Sequence, residues 1–330
     1  MDGERIGGRR MISDKRVLVT GGAGFIGSHV AEQLLSENTV TVLDDFSVGS
    51  ERHLSFLPSE RIVNADVCDT AAVRDAVDGH DVVVHMAAMM GVRRTLQKPL
   101  EVLRVNIDGT RTVLDAAAES DVDRVLFAST SEVYGDVPDV PYHEDDSLAP
   151  ETNYAVAKLA SERFVRAYTS KRDLDHTIVR YFNAYGPRQD SSAYGYVIPI
   201  FVDRALSGEP IEIHGDGHQT RDFTFISDAV DCTIAALGPE GRNETFNIGT
   251  GTETKIRSLA MAVADVVDGA EAVHVEHPRP YRIERRCADV SRAETRLGYE
   301  PTTTVREGIK RTIEYFEQRR KRESSSPSSS

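Results

Sequence analysis

The 330 residues contain only three cysteines, Cys68, Cys232 and Cys287. Their odd number, their wide separation and the lack of any Cys-x-x-Cys or Cys/His spacing exclude a disulfide framework and a zinc site. They read as reduced core or surface residues, and no metal is expected. No stretch approaches the roughly 20 consecutive apolar residues that a membrane-spanning helix needs. The first residues, MDGERIGGRRMISDKR, lack the apolar segment of a signal peptide, so a cytoplasmic protein without a membrane partner is expected. Positive charge is scarce: 39 Lys and Arg against 53 Asp and Glu leave a formal net charge of -14. Nucleic acid and anionic membranes both call for a basic stripe, so this balance argues against either as a partner. An anionic ligand would have to be held by a few local cations. No internal repeat is present.

With 40% apolar and 28% charged residues, the chain can bury a large core and divide into two lobes. Short apolar runs alternate with segments of helical period: RVLVT (16–20), a helix over about 25–36, TVTVLD (39–44), then RIVNAD, DVVVHMAA, RVLFAST and HTIVRYFN. Longer helical stretches such as PLEVLRVNIDGTRTVLDAAAES separate them. Apolar runs without polar alternation, spaced by helices, indicate a parallel sheet covered on both faces. The expected fold is α/β, a doubly wound parallel Rossmann sheet with a smaller C-terminal substrate-binding lobe. Its divisions are a flexible lead-in (1–14), a dinucleotide-binding domain (15–182), and a second lobe (183–320) in which the rhythm breaks into Gly- and Pro-rich pieces. A helix near 197–207, the strand IEIHG and a returning segment near 222–245, with a helix near 228–237 packed back on the sheet, belong to that second half. The tail over 321–330 is expected to be disordered.

GGAGFIG follows the first strand and opens the first helix, with Gly21, Gly24 and Gly27 spaced three apart. Glycine is needed where the chain turns sharply and its backbone approaches a pyrophosphate, whose charge the helix N-terminus meets. Asp44 ends the second strand 17 residues after Gly27, where a carboxylate accepts from adenosine ribose hydroxyls and repels a 2′-phosphate. Asp45 and Phe46 supply no base, so NAD is expected instead of NADP. Asp66, at the end of the third strand, and Ala87 and Ala88, small residues ending the fourth, would line the same cleft. A glycine turn beside a surface carboxylate is the plainer alternative.

The fifth strand runs out into TSEVYG, placing Thr130, Ser131 and Glu132 together. Ligands of open α/β sheets bind beyond the carboxyl ends of strands, although Ser, Thr and Gly also make ordinary turns. In ETNYAVAKLASERFVRAY, Tyr154 and Lys158 are four apart on one helical face. The ammonium would favour the phenolate, lowering the tyrosine pKa and making it a usable base. Such pairs also occur by chance.

Taken in order, GGAGFIG, LDD, HMAA, STSEVYG, YAVAK, RYFNAYGPR, GDGHQTRDFTFI and ADVSRAETRLGYEP resemble the extended short-chain dehydrogenase/reductases. The likeness is to their nucleotide-sugar 4-epimerases, dehydratases and decarboxylases, and it covers roughly residues 15–320. It implies that Thr130 hydrogen-bonds the reacting C4 oxygen, that Tyr154 is the base and Lys158 its partner, and that Ser131 and Glu132 vary with reaction type. It implies NAD contacts at Gly21, Gly24, Phe25, Ile26 and Gly27, at Asp44, Asp45, Ser47 and Gly49, and at Asp66 and Val67. Further contacts fall at Met86, Ala87, Ala88, Asn106, Ala128, Tyr154, Lys158 and Tyr181. For a UDP-sugar substrate it implies diphosphate contacts from Arg221 and Arg279, unless these pair with Asp222 or Glu284, and a contact from Asn183. Arg188 would meet a sugar carboxylate together with Thr130 and Ser131, or brace its loop. Ser131 stands where a 4,6-dehydratase carries Asp, which argues against dehydration. TSEVYG is similar to UDP-glucuronate decarboxylases, whereas MAAMMGVRRTLQKPLEVLRVN and GDGHQTRDFTFI are similar to bacterial and archaeal 4-epimerases. NAD-dependent C4 epimerisation of UDP-glucuronate/UDP-galacturonate or UDP-glucose/UDP-galactose is the leading expectation. Decarboxylation to UDP-xylose is the alternative, ahead of a dehydratase, an alcohol dehydrogenase with dissociable cofactor or a non-catalytic NAD-binding regulator. A homodimer is expected.

Overall fold

The computed structural model describes residues 5–6, 9–10, 12–136, 139–190, 196–276 and 284–325. In the lead-in expected to be flexible, Arg5–Ile6 and Arg9–Arg10 pair as a short antiparallel ribbon.

The first half alternates as its sequence suggests: β1 (Arg16–Thr20), α1 (Phe25–Leu34), β2 (Thr39–Asp44), β3 (Ile62–Asn64), α2 (Thr70–Val77), β4 (Val82–His85), α3 (Val92–Gln97), α4 (Pro99–Glu119), β5 (Arg124–Thr130), α5 (Asn153–Arg172) and β6 (Asp175–Tyr181). All seven residues of β5 are buried, as expected of a strand covered on both faces. Alternate side chains feed two separate cores: Val17, Val19, Val82 and Val84 pack on one face with α1, and Leu18, Val83, Val125 and Phe127 on the other with α2 and α4.

The second half contains β7 (Ala184–Tyr185), α6 (Val197–Leu206), β8 (Ile211–His214), β9 (Thr220–Asp222), β10 (Thr224–Phe225), α7 (Ile226–Ala236), β11 (Glu244–Ile248), β12 (Glu253–Lys255), α8 (Ile256–Ala264), β13 (Ala272–Val275), α9 (Ser291–Leu297) and α10 (Val305–Ser325). β11 joins the main sheet beside β6, completing seven parallel strands in the order β11-β6-β5-β4-β1-β2-β3. Strand order reverses at β1, so the crevice opens beyond its carboxyl end, between β1 and β4. The fold is therefore the Rossmann-type sheet the alternation implies. The two halves interleave, because α7 packs on α1 while the lobe's own small sheets pair β8 with β13 and β9 with β12.

The tail departs from expectation. α10 continues to Ser325, because Arg320 bonds Asp203 Oδ1 at 2.7 Å and Ser207 Oγ at 2.8 Å, and Arg319 lies 3.5 Å from Glu323 one turn on. Residues 326–330 lie outside the described ones. Among the described residues no helix is long and apolar enough to cross a membrane.

Candidate active site

A cavity of about 1860 Å³ runs along the carboxyl end of the sheet and into the second lobe. At one end is the glycine turn. Gly21 has φ +69°, and a Cβ there would stand 2.5 Å from the backbone nitrogen of Ala87, so this position accepts only glycine. α1 starts at Gly24 without a side-chain cap, and Gly24, Phe25, Ile26 and Gly27 border the cavity. The N–H groups of a first helical turn have no partner within the helix, and they face the cavity as an anion cradle. Asp44 is buried. Its Oδ2 accepts from Ala23 N at 2.9 Å and its Oδ1 from Phe46 N at 2.8 Å, leaving lone pairs for ribose hydroxyls. Burial pushes its pKa up, against the pull of those two N–H groups. Asp45 accepts from Ser47 N, and Asp66 from Cys68 N with Arg104 at 3.5 Å. These residues fit NAD.

Gly49, Val67, Met86, Ala87, Ala88, Ala128 and Tyr181 also border the cavity. Asn106 does not. It is 1% exposed and sits behind the wall, donating from Nδ2 to the carbonyls of Met89 and Val102 at 2.8 Å. Its expected contact with the cofactor is thereby corrected to support of the Met89 backbone.

Thr130 ends β5, and its Oγ1 accepts from Glu132 N at 3.2 Å, opening the turn Ser131–Tyr134. Glu132 Oε2 accepts from Thr152 Oγ1 at 3.1 Å. Thr152 in turn caps α5 by accepting from Ala155 N. Strand end and helix start are thus tied together, and Tyr154 and Lys158 follow on α5. Lys158 Nζ donates to Ala128 O at 2.7 Å, 4.7 Å from the centre of the Phe127 ring and 5.9 Å from that of Tyr154.

Burial pulls the Lys158 pKa down to about 7, against the attraction of Glu162. Burial first, then Glu132 and Tyr196, push Tyr154 well above the usual phenol value. For the protein alone the net direction of the tyrosine pKa is therefore upward, set by burial and these neighbours and not by Lys158. The ammonium is directed at a carbonyl and gives up part of its charge near neutral pH.

Behind this pair lies an arrangement that sequence reasoning missed. Glu162 accepts from Ser129 Oγ at 2.6 Å and from Arg180 at 3.0 and 2.8 Å, and Arg180 also donates to the Tyr134 hydroxyl at 2.9 Å. Both charges of this pair are buried. The available signal was Glu162 one turn after Lys158, on the same buried helical face.

Toward the second lobe, Asn183 borders the cavity and donates to Asp222 O at 3.0 Å. Arg221 donates to Thr220 O at 2.6 Å, and burial, with Arg286 nearby, pulls its pKa down to about 10. The Asp222 carboxylate faces Thr250, Gly251 and Ala288. Arg279 lies outside the described residues. Arg286, which sequence reasoning did not single out, is 6% exposed and borders the cavity. Its Nη2 donates to Gly135 O at 3.2 Å, and its Nε is buried without a hydrogen-bond partner. Arg188 has φ +67°, pairs with Glu32 of α1 and lies 5.9 Å over the Phe56 ring. The left-handed turn directs one end of its guanidinium at α1, the loop-bracing alternative of the sequence, while Arg188 still borders the cavity and its Nη1 is buried without a hydrogen-bond partner.

The model of the NAD dependent epimerase/dehydratase family matches residues 17–249. The UDP-N-acetyl-alpha-D-glucosaminuronate decarboxylase of Bacillus cytotoxicus is 39% identical over 92% of this chain and 98% of its own. The UDP-glucose 4-epimerase of Mycolicibacterium smegmatis is 36% identical over 91% and 98%. The UDP-glucuronic acid 4-epimerase of Bacillus cereus, solved with UDP-glucuronic acid and NAD, superposes with a TM-score of 0.84 at 31% identity, covering 92% of this chain and 99% of that one. The glycine cradle, the buried Asp44 and these full-length matches agree: the chain belongs to the NAD-dependent epimerase/dehydratase family, and its cofactor is NAD.

Proposed function

We propose that this chain decarboxylates a UDP-hexuronate by way of a ketone at C4. The observation that carries this reading is the second cavity guanidinium, Arg286, buried beside Arg221 with one N–H unpartnered. Two like charges in one wall disfavour each other unless anions meet them. A nucleoside diphosphate supplies one anionic group, and a C6 carboxylate supplies the other. Arginine's planar fork suits both.

On this reading Thr130 donates to the C4 oxygen while Tyr154 takes the C4 hydroxyl proton. When bound at the glycine cradle and Asp44, NAD+ would supply the hydride acceptor for C4, the hydride for its later reduction, and a positive charge favouring the phenolate. The carboxylate is then β to a ketone. The C5–C6 bond breaks, CO2 leaves, and the electron pair stays on C5 as the enolate of the C4 ketone. Glu132, anchored by Thr152, is the group we assign to protonation at C5. Tyr154 gives its proton back to the C4 oxygen as the ketone is reduced. The balance is UDP-hexuronate plus one proton to UDP-pentose plus CO2. The relative at 39% identity is named for such a reaction.

C4 epimerisation is the second reading. Thr130, Tyr154 and Lys158 suffice for it, and two of the relatives above carry 4-epimerase names. A neutral hexose would leave Arg286 without an anion. Incubation with UDP-glucuronate, UDP-N-acetylglucosaminuronate and UDP-glucose, with products resolved by mass, tests the order. Loss of CO2 from a uronate supports the proposal, a new isomer of unchanged mass supports the second reading, and loss of water contradicts both.

A further inference from the structure

We infer that His85 is a positioning residue: a directed chain of hydrogen bonds through its ring holds the backbone that walls the NAD cleft. The direction follows from counting protons. The Asn106 carbonyl can only accept, so the Thr110 hydroxyl donates to it at 2.7 Å. With that proton committed, Thr110 accepts from His85 Nε2–H at 3.1 Å. A neutral imidazole carrying its proton on Nε2 is bare at Nδ1, which therefore accepts from the Thr20 hydroxyl at 2.7 Å. The Thr20 oxygen is left to accept from Ala87 N–H at 3.4 Å.

Each proton is used once, and each group is buried or nearly so: His85 is 1%, Thr20 0% and Thr110 1% exposed. Burial and the nearby Lys158 hold the ring neutral, with a pKa of about 3, so the pattern persists across any working pH. The same Asn106 holds Met89 O through its side chain, so both ends of the strip Ala87–Met89 are anchored at one residue of α4. Ser161 of α5 adds a hydrogen bond to the same Asn106 carbonyl at 2.9 Å. The strip matters because Gly21 and Ala87 approach too closely for even a Cβ between them. A shift at Ala87 is therefore a shift of the pyrophosphate turn. The sequence HMAAMM carries this role at its first residue, one that does not line the cavity.

The inference rests on NAD as cofactor and not on which sugar reacts. It is tested on the NAD-loaded protein by nitrogen-15 NMR of His85 and by two variants. The ring should be protonated at Nε2 and bare at Nδ1. Thr20→Val keeps the side-chain shape but removes the acceptor. It should speed both deuterium exchange at the Ala87 amide and release of bound NAD about fivefold, the scale of one neutral hydrogen bond, and Thr20→Ser should restore both. An Nδ1-protonated ring, or wild-type NAD release in Thr20→Val, overturns the inference. Should Thr20→Val fail to fold, the NMR result decides alone.

Discussion

Tyr154 is a phenol kept neutral by burial and by Glu132, so its usefulness as a base depends on charge brought near it. Tyr154→Phe should retain NAD, because the ring still packs, and should lose turnover by far more than tenfold. A rate within about tenfold of wild type, roughly 1.4 kcal/mol in barrier, would remove the residue from this role. Lys158 makes a separate prediction about stability. Its folded pKa of about 7 lies below the 10.5 of the free side chain. Between those values the unfolded chain binds the extra proton, so stability rises with pH across that window, and the full penalty is present below pH 7. Lys158→Met should therefore raise the unfolding temperature at pH 6, by free energy on the order of a few kcal/mol, and lose most of that advantage near pH 10. An advantage independent of pH would show that Lys158 is not held at this cost. Arg286→Ala should weaken turnover of a UDP-hexuronate by about 2–5 kcal/mol, the scale of truncating one partner of a buried charge pair, and alter UDP-glucose binding much less. Equal losses on both substrates would assign Arg286 to the diphosphate.

At the scale of elements, β5 and the start of α5 were readable because their signals are local. RVLFAST is an apolar run with no polar alternation, and Tyr154 and Lys158 stand one helical turn apart. β11 was harder: ETFNI alternates and follows a Gly-rich stretch, and only pairing with β6 across some 67 residues makes it a sheet strand. Arg286 was invisible for a similar reason. In ERRCADVS nothing local separates an arginine facing solvent from one buried against Gly135 O. Arg188 was legible as a cation but not in direction, since its left-handed backbone and the partner Glu32, on a distant helix, decide where it points. Arg188→Ala should therefore weaken binding of UDP-glucuronate and UDP-glucose in the same proportion, by loosening the loop against α1. A loss confined to the uronate would restore its carboxylate role.

Across the whole molecule, the glycine turn and Asp44 of the first lobe and Arg221 and Arg286 of the second border one cavity together with Thr130, Glu132 and Tyr154, and the proposed reaction places the cofactor on the first set and the anionic substrate on the second. The parallel sheet and the glycine cradle were legible from spacing, because each is set by backbone geometry within one βαβ unit, whereas the strand order and its reversal at β1 follow only from the crossovers to β2 and β4. The charge arrangement of the second lobe was not legible either, because it is assembled from β9 and from the strand-like segment around Arg286 that pairs with it. On the proposed reading C4 is oxidised and reduced again in one closed site while C6 leaves C5 as CO2. Turnover of UDP-glucuronate carrying deuterium at C4 tests it most directly, with the isotope followed in the product and in free NADH. The account predicts a UDP-pentose retaining deuterium at C4, one CO2 per product and no labelled NADH in solution. A CO2-free product, or deuterium lost from C4 while CO2 is released, would contradict it.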